Sequence, residues 1–449
     1  MILIGNGRLV TRDAQNHYYE NGCAAVEGTQ IADVGTTEEM KAKYPDAEFV
    51  DAKGGVIMPG LINTHHHIYS TFARGLSIDG YDPQGFMDIL EGLWWTLDEN
   101  LSLEDTAQSA RDTYIDCIKN GVTTVFDHHA NYMETTGSLD KIAEAAKDLG
   151  IRTSLCYEVS DRNGEEQMKE AVAENVNFIK KAHDDDTGMV HGMFGLHAAF
   201  TLSDETLDYC NEQKPDYAGY HVHVAEGMAD VEDSLEKYNK RVVERLYDKG
   251  ILGPDTLAVH CIHIDDHEID LLKDSGCFVV HNPESNMGNA VGCPPVLDIV
   301  HKGITAGLGT DGYTSDMFES YKVANILHKH NTGDPNAAWG EIPQMLFENN
   351  RKIAEHAFNR KLGVIEPGAQ ADIIVSDYIP TTPMNEGNIN SHVVFGMNGR
   401  SIVDTMCDGR LLMKDRELIG IDEEAEMAKS RDLAQKMADR INHKEPAAE

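Results

Sequence analysis

Eight short apolar runs, each leading into a polar residue and most followed by a segment able to form a helix, constrain the fold of this chain more than any other feature. They are Leu61-Ile62 before His65-His66-His67, Thr123-Thr124-Val125-Phe126 before Asp127, Thr153-Ser154-Leu155-Cys156-Tyr157, and Met193-Phe194-Gly195-Leu196 before His197. Then come Tyr220-His221-Val222-His223-Val224 before Glu226, Leu257-Ala258-Val259 before His260, Cys277-Phe278-Val279-Val280 before His281-Asn282, and Ile304-Thr305-Ala306-Gly307-Leu308 before Asp311. Runs of this length read as strands, and stretches such as 103–119 and 139–149 read as helices. Strand and helix in alternation imply a parallel sheet with α/β architecture, and eight such units predict a closed (β/α)8 TIM-like barrel. An open doubly wound sheet is the alternative, but no Gly-x-Gly-x-x-Gly follows any of these strands. Closure makes the first and eighth strands neighbours, which places Asp311 beside His65 and His67 at the C-terminal end, where such barrels build their sites.

The two ends of the chain have a different texture. Residues 1–58 and 364–420 are short strand-like runs broken by turn residues, among them Ile2-Leu3-Ile4, Ala371-Asp372-Ile373-Ile374-Val375 and His392-Val393-Val394-Phe395. Neither block is large enough to fold alone, so the two are expected to pair as one small composite β-sandwich domain. The barrel then occupies 59–363, and 421–449 form a C-terminal helix and tail.

Charge and cysteine usage narrow the function classes. With 38 Lys plus Arg against 76 Asp plus Glu, the net charge is -38. That surface repels nucleic acid and anionic membrane, and neither is an expected partner. The eight cysteines contain no Cys-x-x-Cys pair, which suggests reduced thiols and a cytoplasmic location. The first residues do not resemble a signal peptide, and no apolar run is long enough to span a bilayer.

On a strand, alternate residues share a face, so His65 and His67 point together and His66 points away. A third imidazole from the fifth strand and the Asp311 carboxylate would complete a site for one divalent ion, leaving a position for water whose pKa falls toward about 7. His223 is the better candidate than His221, because Glu226 then lies one short turn away, able to move protons without holding the ion. His221 reads as a buried, hydrogen-bonded histidine.

Several stretches in order resemble the amidohydrolase superfamily, in the branch of guanine, cytosine and adenosine-type deaminases and triazine chlorohydrolases. They are Pro59 to His67, Gly121 to Asp127, His223-Val224-Ala225-Glu226, Val259-His260-Cys261-Ile262-His263, His281 to Asn286, Leu308-Gly309-Thr310-Asp311-Gly312 and Pro367 to Asp372. Leu93 to Asp98, Asp127-His128-His129-Ala130, Asp161-Arg162-Asn163 and Ser315 to Glu319 resemble the SsnA-type aminohydrolases within it. The resemblance implies that His65, His67, His223 and Asp311 hold one divalent ion, zinc by preference with iron as a variation. It further implies that Glu226 protonates a ring nitrogen, that Asp311 takes a proton from water as metal-bound hydroxide attacks, and that His260 steadies the intermediate. The implied reaction is hydrolytic deamination of a purine-, pterin- or pyrimidine-like ring. Displacement of chloride or another group, or opening of a cyclic amide, is the alternative, and a silent binding protein on the same fold is the third reading. No lysine ends the fourth strand, which favours one ion over two.

Candidate substrate contacts are His197, implied by the resemblance, and Trp95 with Glu91 in the insertion after the first strand, where a flat ring could stack. At least one of His128 and His129 is expected to face the site, with His129 as the candidate. Asn282, Ser285 and Asn286 read as loop-shaping residues. The expected partner is a small heterocycle; association into a homo-oligomer is left open.

Overall fold

The computed structural model describes residues 1–443; the expected tail beyond the last helix, Glu423–Ile441, falls at 444–449, outside those residues. The eight expected barrel strands are present, at Leu61–His66, Val122–Asp127, Arg152–Leu155, Val190–Gly192 with Phe194–Ala198, Tyr220–Val224, Leu257–His260, Phe278–His281 and Ala306–Leu308. All neighbouring pairs are parallel. The fourth strand is broken at Met193, so its first half pairs with the third strand and its second half with the fifth. Backbone bonds from Met193 N–H to Leu155 O, from Val159 N–H to Gly195 O and from His197 N–H to Val159 O carry the sheet across the break. The fold is therefore a (β/α)8 barrel.

Side-chain alternation separates two apolar layers. Val222, Val224, Ala258, Val279 and Leu308 face the helices, whereas Ile62, Phe126, Leu257, Val259 and Val280 fill the barrel floor with Ile353 and Phe358. Helix Leu103–Lys119 begins at Ser102, whose hydroxyl accepts from the Asp105 N–H while the Asp105 carboxylate accepts from the Ser102 N–H.

The seam between strands eight and one positions the site. The Thr310 and Asp311 N–H groups both donate to the His65 carbonyl at 3.0 Å, and the His66 ring is hydrogen-bonded to the Asp311 carbonyl. Asn350 spans the same seam: its Oδ1 accepts from Leu308 N–H at 2.7 Å, and its Nδ2 donates to Ile62 O at 2.7 Å and Leu308 O at 2.8 Å. Gly309 permits the approach, since a Cβ there would lie 2.4 Å from Asn282 Oδ1 and 2.9 Å from His65 O.

The terminal blocks join into one sheet of nine hydrogen-bonded strands, where Ile373–Ser376 pairs antiparallel with Val56–Pro59. Buried Arg152, at the base of the third barrel strand, is ion-paired to buried Asp372, which ties this sheet to the barrel. One expected strand is corrected: His392-Val393-Val394-Phe395 lies in helix Ile389–Gly396. Ile389, His392 and Val393 are buried at helical spacing while Phe395 is 73% exposed. A four-residue apolar run does not by itself separate helix from strand. No helix among the described residues is long and apolar enough to cross a membrane.

Asn350→Ala removes four buried hydrogen bonds at the seam, that from the Thr64 hydroxyl included, and takes the side-chain partner from the Leu308 N–H. It is expected to lower stability by about 2–3 kcal/mol in denaturant unfolding.

Candidate active site

Three imidazoles converge at the C-terminal mouth of the barrel. His67 and His223 approach with their Nε2 atoms 3.2 Å apart. Each ring has its other nitrogen on a backbone carbonyl: His67 Nδ1 lies 2.6 Å from His128 O, and His223 Nδ1 lies 2.9 Å from His197 O. A carbonyl only accepts, so both Nδ1 atoms carry the proton and both Nε2 atoms present lone pairs. Burial, reinforced for His223 by neighbouring histidines, holds both rings below the ordinary histidine pKa, so they are neutral. The 3.2 Å approach is thus not a hydrogen bond but two lone pairs facing one another, and it suits a cation between them.

His65 completes the group. Its Nδ1 is 2.9 Å from His221 Nε2, while its own Nε2 is buried without a partner. Asp311 Oδ1 lies 3.3 Å from His67 Nε2 and 3.8 Å from His65 Nε2. His65, His67 and His223 form one set of mutually close ligand atoms, and His65, His260 and Asp311 form another that overlaps it. The donor chemistry, neutral imidazoles with one carboxylate, fits a divalent ion. His221 and the two carbonyls orient the rings from behind.

Beside this cage stand two carboxylates with opposite tendencies. Burial pushes the Glu226 carboxyl up to about 7, with His260 opposing and Asp311 adding to the rise. Burial would also raise Asp311, but His67, His260, the Ser285 hydroxyl and the Gly312 N–H together hold it below the ordinary range. His260 Nε2 lies 3.5 Å from a carboxylate oxygen of each. Its Nδ1 is hydrogen-bonded to Asn286 Oδ1 at 2.9 Å, which fixes the ring. Ala225, His260, Cys261 and Asp311 all have φ between 47° and 73°, left-handed conformations rare for residues with a Cβ. This strain lies where strands five, six and eight end and re-aims their side chains into the mouth.

A cavity opens over these groups. Its lining includes His67, His223, Glu226 and Asp311, and of the expected substrate contacts it includes Trp95 and His197. Glu91 and His129 lie outside it. Glu91 sits in the same helical turn as Trp94 and Trp95 but on its exposed side. His129 is one residue past His128, so its ring turns away and packs edge-on between Tyr69 and Tyr157. His128 lies closer in, its ring 4.4 Å from that of His223.

No motif assigns the other lining residues a place in the cavity: Asp98 and Ser285 fall in marked stretches, and Tyr69, Glu158 and Asn289 in none. Tyr69, Asp98, Glu158, Ser285 and Asn289 face the cavity, and Asn289 Nδ2 donates to Glu226 Oε1 at 3.4 Å. Ser285 and Asn286 do more than shape a loop, since they touch Asp311 and His260.

A buried set of imidazole and carboxylate ligands at the mouth of a (β/α)8 barrel, beside paired proton-handling groups, defines a metal-dependent hydrolase. Residues 56–412 match the model of the amidohydrolase family, and the chain belongs to that family. It is 33% identical over 447 residues to a 5'-deoxyadenosine deaminase of Methanosarcina barkeri, covering 98% of this chain and 99% of that one. Among solved structures, an adenosine deaminase from Xanthomonas campestris with bound zinc superposes with a TM-score of 0.85 at 23% identity, covering 97% of this chain and 98% of that one. The atrazine chlorohydrolase of Arthrobacter aurescens in complex with zinc gives 0.81 at 22% identity, covering 97% and 100%.

Replacing His65 and His67 together with Ala is expected to reduce the bound divalent metal of the purified protein to background by elemental analysis. Unchanged metal content would place the ion elsewhere.

Proposed function

We propose that this protein hydrolytically deaminates a purine-, pterin- or pyrimidine-like ring, with His65, His67, His223 and Asp311 holding one zinc ion and Glu226, His260 and Asp311 handling protons. The observation that carries this reading is the pair of buried carboxyl groups flanking His260, whose Nε2 lies 3.5 Å from an oxygen of each: burial pushes Glu226 up to about 7, whereas Asp311 is held below the ordinary carboxylate range. Two carboxyl groups whose environments push their pKa values apart are suited to acid and base roles in one reaction. When bound, a divalent ion supplies Lewis acidity that makes hydroxide available near neutral pH.

The remaining steps belong to side chains of this chain. Glu226 gives its proton to the ring nitrogen next to the attacked carbon, which makes that carbon electrophilic and stores the charge on an atom Glu226 reaches. Asp311 accepts the proton lost by the attacking water and passes it toward the departing amine. His260, its Nδ1–H donating to Asn286 Oδ1, sets Nε2 beside the oxygen as it gains charge and donates to it once that nitrogen also carries a proton. Trp95 and His197 border the ring, with Trp95 edge-on to His197 at 6.1 Å. The deaminase activities named for relatives of similar length support ammonia as the leaving group.

Glu226→Gln keeps the shape of the side chain and removes its transferable proton. It is expected to lower kcat by about 10²–10⁴-fold with unchanged metal content. The wild-type assay is ammonia release from a panel of aminopurines, aminopteridines and aminopyrimidines. Release from none of them, or release of another group such as chloride in its place, would contradict the deaminase reading, and full activity in the variant would remove Glu226 from the acid role.

A further inference from the structure

Not every carboxyl group lining the cavity is used by this reaction. Glu158 extends the third strand, its N–H donating to His129 O at 2.7 Å, and its buried side chain lines the cavity. Its Oε1 has no hydrogen-bond partner. The nearest cation is Arg162, whose Nη2 is 3.6 Å from that oxygen but is hydrogen-bonded to Asp98. The Arg162 guanidinium rests over Tyr132 at 4.4 Å and Trp95 at 4.9 Å. Two buried carboxyl groups therefore share one guanidinium; burial pushes the Glu158 carboxyl up to about 7, and its Oε1 is left on the cavity wall as an acceptor without a partner.

The neighbouring imidazole adds a second acceptor. His128 Nε2 lies 3.0 Å from the Leu196 carbonyl and so carries the proton, which leaves Nδ1 as a buried lone pair, unpartnered and 3.8 Å from Glu158 Oε2. A buried acceptor pair of this kind is costly until a donor meets it. The neighbours of Glu158 here, Trp95, Asp98, His128 and Arg162, come from three stretches marked in the sequence: Leu93 to Asp98, Asp127 to Ala130 and Asp161 to Asn163.

We propose that Glu158 reads an N–H donor on the ring under attack, so that the substrate is a heterocycle bearing a second amino group or ring N–H, as in a diaminopurine or a pterin. This rests on the deaminase reading above. Position favours the reacting ring over a remote substituent, because ligand atoms of Glu158, His128 and His223 all fall within 4.8 Å of one another. A second cation held by the same three residues is the competing occupant. It is disfavoured because the single lone pair of His223 is on Nε2, which faces His67.

The test is calorimetric binding to zinc-loaded protein carrying Glu226→Gln, which does not turn the ligands over, of ring pairs that differ by one amino group: adenine with 2,6-diaminopurine, hypoxanthine with guanine, and 4-hydroxypteridine with pterin. With Glu158 in place this protein is expected to bind the amino member of at least one pair about tenfold more tightly. Glu158→Met should bring that preference within about twofold. Glu158→Gln, which keeps one acceptor oxygen, should give an intermediate value, both variants retaining the metal. The proposal is overturned if no pair shows the preference, if the preference survives both substitutions, or if either variant loses the metal, which would make Glu158 a ligand. Equilibrium binding is read independently of ammonia release, so failure here and failure of the deaminase reading are separable.

Discussion

The rest of the site depends on two imidazole nitrogens made to face each other. Backbone carbonyls of His128 and His197 pin the protons of His67 and His223 on the far side of each ring, and burial keeps the rings neutral. Strands one and five thus aim lone pairs at a common point 3.2 Å across. In isolation this arrangement is repulsive, and a bound divalent ion makes it attractive. The carbonyls come from the ends of strands two and four, so closure of the barrel sets the ligand directions as well as the ligand positions.

Closure also explains why Asp311 is in place. Strand eight meets strand one through the His65 carbonyl, the His66 ring and Asn350, and the left-handed backbone at Asp311 turns its carboxylate over the histidines. His66, which points away from the cage, is part of the seam that holds the cage together. The same economy appears across the mouth, where Asn175 bonds the backbones of Tyr157 and Gly195 and holds the third strand to the broken fourth. Two buried asparagines on helices therefore secure two seams of the barrel.

Much of this was legible in the sequence because it is written in short periods. Alternation on strands placed His65 with His67, and the order of eight apolar runs predicted the barrel and the neighbours of Asp311. Legibility failed where a residue's role depends on a partner far along the chain. Asn350 reads as an ordinary helical residue until Ile62 and Leu308 are beside it, and Glu158 has no motif of its own until Arg162 and Asp98 are paired behind it. Glu91 and His129 were expected at the cavity because neighbours in sequence face it, but a helical turn and a strand each send adjacent residues in different directions. The segment His392 to Phe395 misled for a related reason, since its apolar run is too short to carry a period.

A divalent ion is expected where these lone pairs meet. Anomalous diffraction at the zinc edge, from crystals of zinc-loaded protein, tests it most directly. A single peak is expected within coordination distance of the Nε2 atoms of His65, His67 and His223 and of an Asp311 oxygen, at about 2.0–2.2 Å from each ligand. A peak bounded by His128 and Glu158, or no peak at the mouth of the barrel, would contradict it.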